Sequence, residues 1–211
     1  MYIPHPCEQL NNHFSEKPYQ GVPPENASFL FIGLDANYAE NISSQSVFPK
    51  VLEYHHDGIG FWQKNKVHHP FLLPEYKGDG SYYHRSFAKI GFLPFHAPLV
   101  SFVELLHIPT VGRSKLEPSD LSTQHLQLIN AAILEGQAKY IFIPAAVAKL
   151  MQNSGIFPWL YRKPIAIPDR LGILFQNQNK TVYSHLHFSV YGKFQERKVM
   201  EAALINSLLP K

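Results

Sequence analysis

A carboxylate and an imidazole stand near opposite ends of this chain, each just past an apolar run. They are the residues best placed to do chemistry. The first follows Ser28-Phe29-Leu30-Phe31-Ile32 in the segment Gly33-Leu34-Asp35-Ala36-Asn37-Tyr38. The short, continuous apolar run reads as a buried central β-strand, and Gly33 lets the backbone turn sharply and approach a ligand. Asp35 then falls just beyond the carboxyl end of that strand, where open α/β sheets place their ligand crevice. With the Asn37 amide and the Tyr38 ring beside it, this is a catalytic corner in composition, although strand-Gly-x-Asp turns also occur as plain Asx turns. The second segment is Val182-Tyr183-Ser184-His185-Leu186-His187-Phe188-Ser189-Val190-Tyr191. In a parallel sheet its carboxyl end opens onto the same edge. Alternation places His185 and His187 on one face and Leu186 on the other, with His187, the last, projecting into the crevice. Strand-end histidines also serve as plain hydrogen-bonded structural residues.

Bringing both segments to one edge requires parallel strands joined by helices. Strands are predicted over residues 28–34, 97–106 (after an extended 92–95), 139–144 and 181–187, the last in a hairpin with 171–175 around Asn177-Gln178-Asn179. Helices are predicted over 82–90, closed by Gly91, and from Pro118-Ser119-Asp120 through Leu126, Ile129 and Ile133 toward Gly136. Two more cover 145–152 and 194–209, and short helices fill 37–80 around Val47, Val51, Phe61 and Trp62. Residues 1–27 read as an irregular arm with one short helix near 8–14. The pattern predicts an α/β fold: a three-layer α/β/α domain on a central, mainly parallel sheet of about four strands. One domain over 1–211, with its core in 28–209, accounts for the chain, which has no repeat, linker or low-complexity segment.

The composition narrows the setting. The chain has 211 residues, 45% of them hydrophobic, enough for a real core. No apolar run reaches the length of a transmembrane helix, and Met1-Tyr2-Ile3-Pro4-His5-Pro6 lacks the regions of a signal peptide. A single cysteine, Cys7, excludes an internal disulfide, so a reducing cytoplasm is expected. A formal charge of +3 is compatible with a polyanion but does not demand one.

The two segments resemble the motifs of the uracil-DNA glycosylase superfamily. Its first motif is a strand followed by Gly-Gln-Asp-Pro-Tyr or a variant, and residues 33–38 stand in that place. Its second is a late strand running into His-Pro-Ser, where this chain has His187-Phe188-Ser189. The resemblance spans residues 28–209 and implies a glycosylase-like fold and hydrolysis of an N-glycosidic bond. It further implies a damaged or deaminated base flipped from DNA and a role in base excision repair; a monomer is expected, with no cofactor and no metal. Asp35 would orient the attacking water and offset positive charge on the sugar, and a neutral His187 would stabilise the departing base. Gly33, Leu34, Asn37, Tyr38, Phe48 and Ser101 would line the substrate site, with Tyr38 or Phe48 stacking on the base. Ser189, Tyr191, Lys193 and Arg197 (with Lys198) would meet DNA, Tyr191 near where relatives insert a wedge.

Several positions depart from that pattern. Ala36 replaces the first motif's proline, the tyrosine arrives one residue late, and Phe188 replaces the second proline. Relatives that read uracil end the second strand with an asparagine. The nearest positions here are Ser101 and Phe102, which puts uracil specificity in doubt. His55-His56 and His68-His69 are adjacent pairs that chelate metal poorly, and Rossmann, P-loop and Gly-x-Ser-x-Gly fingerprints are missing. Two other functions remain open on sequence: a non-catalytic nucleic-acid or nucleotide binder of the same fold, and a small-molecule nucleoside hydrolase using the same pair.

Overall fold

Alternation gives the central strand two apolar faces. Along Phe29–Gly33, Leu30 and Ile32 join one buried cluster while Phe29 and Phe31 join another, as the two-residue period of a strand requires. The computed structural model describes residues 1–78, 80–112 and 115–210. Its strands are β1 (Ile3–Pro4), β2 (Tyr19–Gly21), β3 (Phe29–Gly33), β4 (Asn37–Tyr38), β5 (Val100–Glu104), β6 (Thr110–Val111), β7 (Tyr140–Pro144), β8 (Gly172–Gln176) and β9 (Thr181–His185). The α-helices are α1 (Glu8–Glu16), α2 (Phe48–His56), α3 (Gly58–Asn65), α4 (Ser81–Ala88), α5 (Thr123–Leu134), α6 (Ala145–Ser154) and α7 (Gln195–Asn206).

The main sheet has the order β2-β5-β3-β7-β9-β8. Its four inner strands are mutually parallel, and β2 and β8 pair antiparallel on the two edges. The sheet is therefore mixed and six-stranded rather than a sheet of about four. β8 is the expected hairpin partner of β9. β2 lies inside the stretch that reads as an irregular arm, because three residues are too few to show alternation. α5 and α6 cover the Leu30–Ile32 face with Leu126, Ile129, Ile133, Val147 and Met151. Trp62 of α3, Phe87 of α4 and Ile205 of α7 cover the Phe29–Phe31 face. A smaller sheet, β1-β6-β4, sits beside the main one.

Local chemistry explains the shifted boundaries. Pro94 and Pro98 hold residues 94–99 in a 3₁₀ helix, since proline cannot donate to a sheet ladder, so the second parallel strand starts at Val100 rather than 97. Ser122 caps α5, its Oγ accepting from the His125 N–H at 3.3 Å, so that helix starts after the Pro118-Ser119-Asp120 turn rather than in it. Gly155, at φ +75°, closes α6 in the left-handed region. β9 ends at His185, two residues early, so His185 and His187 do not share a strand face. The chain leaves β3 toward β5 and leaves β7 toward β9 on the other side. The carboxyl edge between β3 and β7 is thus a topological switch point, the usual place for a crevice.

Lys180 ties α5 to the sheet. It is buried, and its Nζ donates to the carbonyls of Ile133 at 2.7 Å, Leu134 at 2.8 Å and Gly136 at 3.0 Å, where the helix dipole favours a cation. Lys180→Met keeps the apolar stem and strands those carbonyls. It is expected to cost about 2–3 kcal/mol, measured as a lower urea midpoint; an unchanged midpoint would refute the assignment. Among the described residues no helix is long and apolar enough to cross a membrane.

Candidate active site

At the carboxyl edge of β3 and β5, close to the end of β9, a cavity of about 310 Å³ opens. Asp35, Glu104 and His187 line it, with Gly33, Leu34, Asn37, Tyr38 and Ser189 from the two expected segments. Asp35 and His187 thus reach one cavity from opposite ends of the chain.

Asp35 is held by a short polar relay. The Thr110 hydroxyl donates to Asp35 Oδ2 at 2.5 Å, and Asn37 Nδ2 donates to Thr110 Oγ1 at 3.1 Å and to the Gly112 carbonyl. The relay exists because β4 pairs in parallel with β6, setting Asn37 opposite Thr110, while the Thr110 N–H donates to the Ala36 carbonyl at 2.9 Å. Thr110 is fully buried, so the carboxylate has a fixed anchor. Nothing in the spacing of residues 33–38 and 110 announces this pairing.

His187 is fixed by its own loop. The Ser189 backbone N–H donates to His187 Nδ1 at 3.3 Å, and Ser189 Oγ lies 2.6 Å from the same nitrogen. A backbone N–H can only donate, so Nδ1 carries the lone pair and the ring proton sits on Nε2. Burial lowers the imidazole's pKa, the Asp35 charge opposes that shift, and Lys198 adds to it. The neutral ring therefore has an Nε2–H donor to offer.

Lys198 anchors the loop that carries this histidine. Its Nζ donates to Ser86 Oγ at 2.8 Å and to the carbonyls of Phe188 at 2.8 Å and Val190 at 2.9 Å. Glu201, buried on α7, accepts from the Leu186 N–H at 2.6 Å and from Arg197 Nε at 2.8 Å. Lys198→Met is expected to raise the His187 pKa, read by NMR titration of the ring, because a nearby positive charge is lost. It is also expected to lower stability by about 1.5–3 kcal/mol through the stranded carbonyls. An unmoved His187 titration would refute the positioning role.

The remaining wall is aromatic and uncharged. Tyr54, Phe71, Tyr83 and Phe102 line it together with His68, His69 and His84. His69 and His84 stack at 3.5 Å and 5°, and His84 Nδ1 lies 3.3 Å from His68 Nε2. Burial pushes His68 down to about 3 and holds His69 and His84 well below the usual histidine range. Among the described residues no group of three or more His, Cys, Asp or Glu is arranged to hold a metal ion.

Not every residue expected at the site is in it. Phe48 is buried with Leu10, Phe14 and Val51 in the cluster that joins α1 to α2 and is not among the residues lining the cavity. Ser101 is fully buried inside β5, its Oγ without a partner, and does not reach the cavity. Tyr38 lines the cavity, but its hydroxyl is committed to His55 Nε2 at 2.7 Å. Tyr191 is 67% exposed and meets Tyr82 edge-on. Lys193 is exposed with its Nζ 5.3 Å from the Phe194 ring centre. His185 packs instead against Phe142 and Phe188, its Nδ1 donating to the Leu186 carbonyl at 2.7 Å.

Glu104 is the chief residue that sequence reasoning missed. It ends β5 opposite Gly33 in the ladder, and its carboxyl lies against the β3 backbone. A Cβ on Gly33 would stand 1.9 Å from Glu104 Oε2, so glycine is what admits the carboxyl. Burial, then the Asp35 charge, pushes Glu104 up to about 8. A lone acid ending the apolar run Val100-Ser101-Phe102-Val103 was the available signal. Gln20 on the edge strand β2 also lines the cavity, with Nε2 buried and unpaired. No known protein family matches this chain, and no curated protein matches it.

Proposed function

We propose that this protein is an N-glycosidic hydrolase resembling the uracil-DNA glycosylase superfamily, acting on a base swung into the cavity at the carboxyl edge of the sheet. The observation that carries this reading is the convergence of an anchored Asp35 and a neutral, Nε2-protonated His187 on one cavity. Breaking a glycosidic bond builds positive charge on the sugar and negative charge on the departing base. Asp35 orients water and offsets the first; the His187 Nε2–H donates toward the second. The aromatic wall receives the base, and Tyr191 and Lys193, both exposed, are free to meet a DNA strand.

The test is incubation with single- and double-stranded oligonucleotides bearing uracil, hypoxanthine, xanthine or a mismatched thymine, scored for alkali-labile abasic sites. Cleavage by the wild type that Asp35→Asn and His187→Ala both lose is the expected result. One observation favours a second reading, a nucleoside hydrolase. Lys198 is committed to internal partners and Arg197 to Glu201, which leaves fewer cations for DNA phosphates. Cleavage of free nucleosides but not of oligonucleotides would decide for it.

A further inference from the structure

The cavity holds a second carboxyl that neither Asp35 nor His187 explains. Glu104 makes no side-chain hydrogen bond among the described residues, yet it lines the cavity beside Asp35. Gln20 stands on the same sheet face: it opposes Phe102 in the β2–β5 ladder, two residues before Glu104, and its Nε2 is unpaired too. A half-buried carboxyl open to the cavity and a buried, unpaired amide on one floor mark a place for a polar ligand.

We infer that Glu104 is the proton donor to the leaving group at this site, with the Gln20 amide holding that same group. The inference rests on the N-glycosidic reading given above. Two carboxyl groups in one cavity divide into acid and base when their surroundings differ, and here the surroundings differ sharply. Asp35 accepts from Thr110, whereas none of the described residues donates to the Glu104 carboxyl. Among the described residues, the groups facing Glu104 are Asp35 beyond β3, Tyr38 on β4, Tyr54 on α2, Tyr83 and His84 on α4, the His68–His69 segment and His187. No described lysine or arginine lines the cavity. Burial lowers the pKa of the lining histidines His68, His69, His84 and His187, so none of the described lining residues supplies a cation to draw the Glu104 proton away. Its raised pKa agrees with this placement.

In the step, the bond from the anomeric carbon to the base nitrogen breaks and its electron pair goes to the base. The Glu104 proton moves to a base oxygen or nitrogen, so the base leaves neutral. Water adds its oxygen to the anomeric carbon and yields a proton to Asp35. Glu104 is left as the anion and Asp35 as the acid, and exchange with solvent restores both.

The experiment measures kcat/KM from pH 5 to 10 on oligonucleotides and free nucleosides carrying uracil, 5-fluorouracil, hypoxanthine or xanthine. Wild type is expected to lose rate above about pH 8. Glu104→Gln, near in shape, is expected to lose that alkaline limb and to fall roughly 10²- to 10⁴-fold on uracil at neutral pH. The fall is expected to be smaller on 5-fluorouracil, whose better leaving anion needs the proton less. Gln20→Met leaves Glu104 in place, so it is expected to raise KM while keeping the limb. Wild-type cleavage with Glu104→Gln matching it in rate and pH profile would overturn the role of Glu104 and leave the hydrolase reading standing. No wild-type cleavage of any of these substrates would overturn both.

Discussion

Replacing His187 by alanine is expected to lower turnover roughly 10²- to 10⁴-fold while leaving the protein folded. The size follows from what the ring is arranged to do. Ser189 donates to Nδ1 through its backbone N–H at 3.3 Å, which fixes the proton on Nε2 before any substrate arrives. Preorganised donors of this kind act without reorganisation when charge develops. The fold should survive because His187 belongs to none of the three apolar clusters. Ser189→Ala separates the ring from its setting. It keeps the backbone donor and loses only the hydroxyl at 2.6 Å, so roughly a tenfold loss is expected, about one hydrogen bond's worth. Single-turnover assays on a cleaved oligonucleotide or nucleoside, run beside circular dichroism melts, measure both. Wild-type turnover in a folded His187→Ala protein would remove His187 from the mechanism.

Acid is expected to unfold this protein early. Burial pushes His55, His68 and His185 down to about 3, and His69 and His84 lie well below the usual range. An unfolded histidine takes up its proton near pH 6.5, so below that pH the unfolded chain binds more protons than the native one. Stability is therefore full above about pH 6.5 and is lost as pH falls toward about 3. Three such histidines together remove about 4 kcal/mol for each pH unit below 6.5. Against a typical 5–15 kcal/mol for a folded domain, unfolding is expected between about pH 3 and 5.5. Glu104 acts with the opposite sign. Its raised pKa favours the native state below about 4.5 and loses that contribution as pH rises through about 8. Urea unfolding at pH 7.5, 6.5, 5.5 and 4.5 measures the slope; a stability that stays flat between pH 6.5 and 4.5 would contradict burial of these histidines in neutral form.

Much of the fold was legible because local rules and tertiary packing agree. The parallel strands around Phe29–Gly33, Tyr140–Pro144 and Thr181–His185 announce themselves as short apolar runs, and the Asn177-Gln178-Asn179 turn predicts its hairpin. The edge strand Tyr19–Gly21 did not announce itself, since three residues paired along one side leave little pattern in a sequence. The reading of His185 and His187 as one face failed for a related reason. It assumed that the strand continues to 187, whereas β9 stops at His185 and the loop beyond is held by Glu201 and Lys198 of α7, contacts that no local pattern encodes.

Local pattern was enough to set Asp35 and His187 just past the ends of strands, because each follows a short apolar run. The sequence also set which residue types were there to do chemistry. Which of them meet depended on packing between distant segments. Phe48 and Ser101 were drawn into the core by the apolar surroundings of α2 and β5, while Thr110, Glu104 and Gln20 were brought to the cavity by pairings between strands far apart in the chain. Strand pairing is a long-range choice made by burial over the whole sheet. The partners of a carboxylate, and with them its protonation, are settled there and not by its neighbours in sequence.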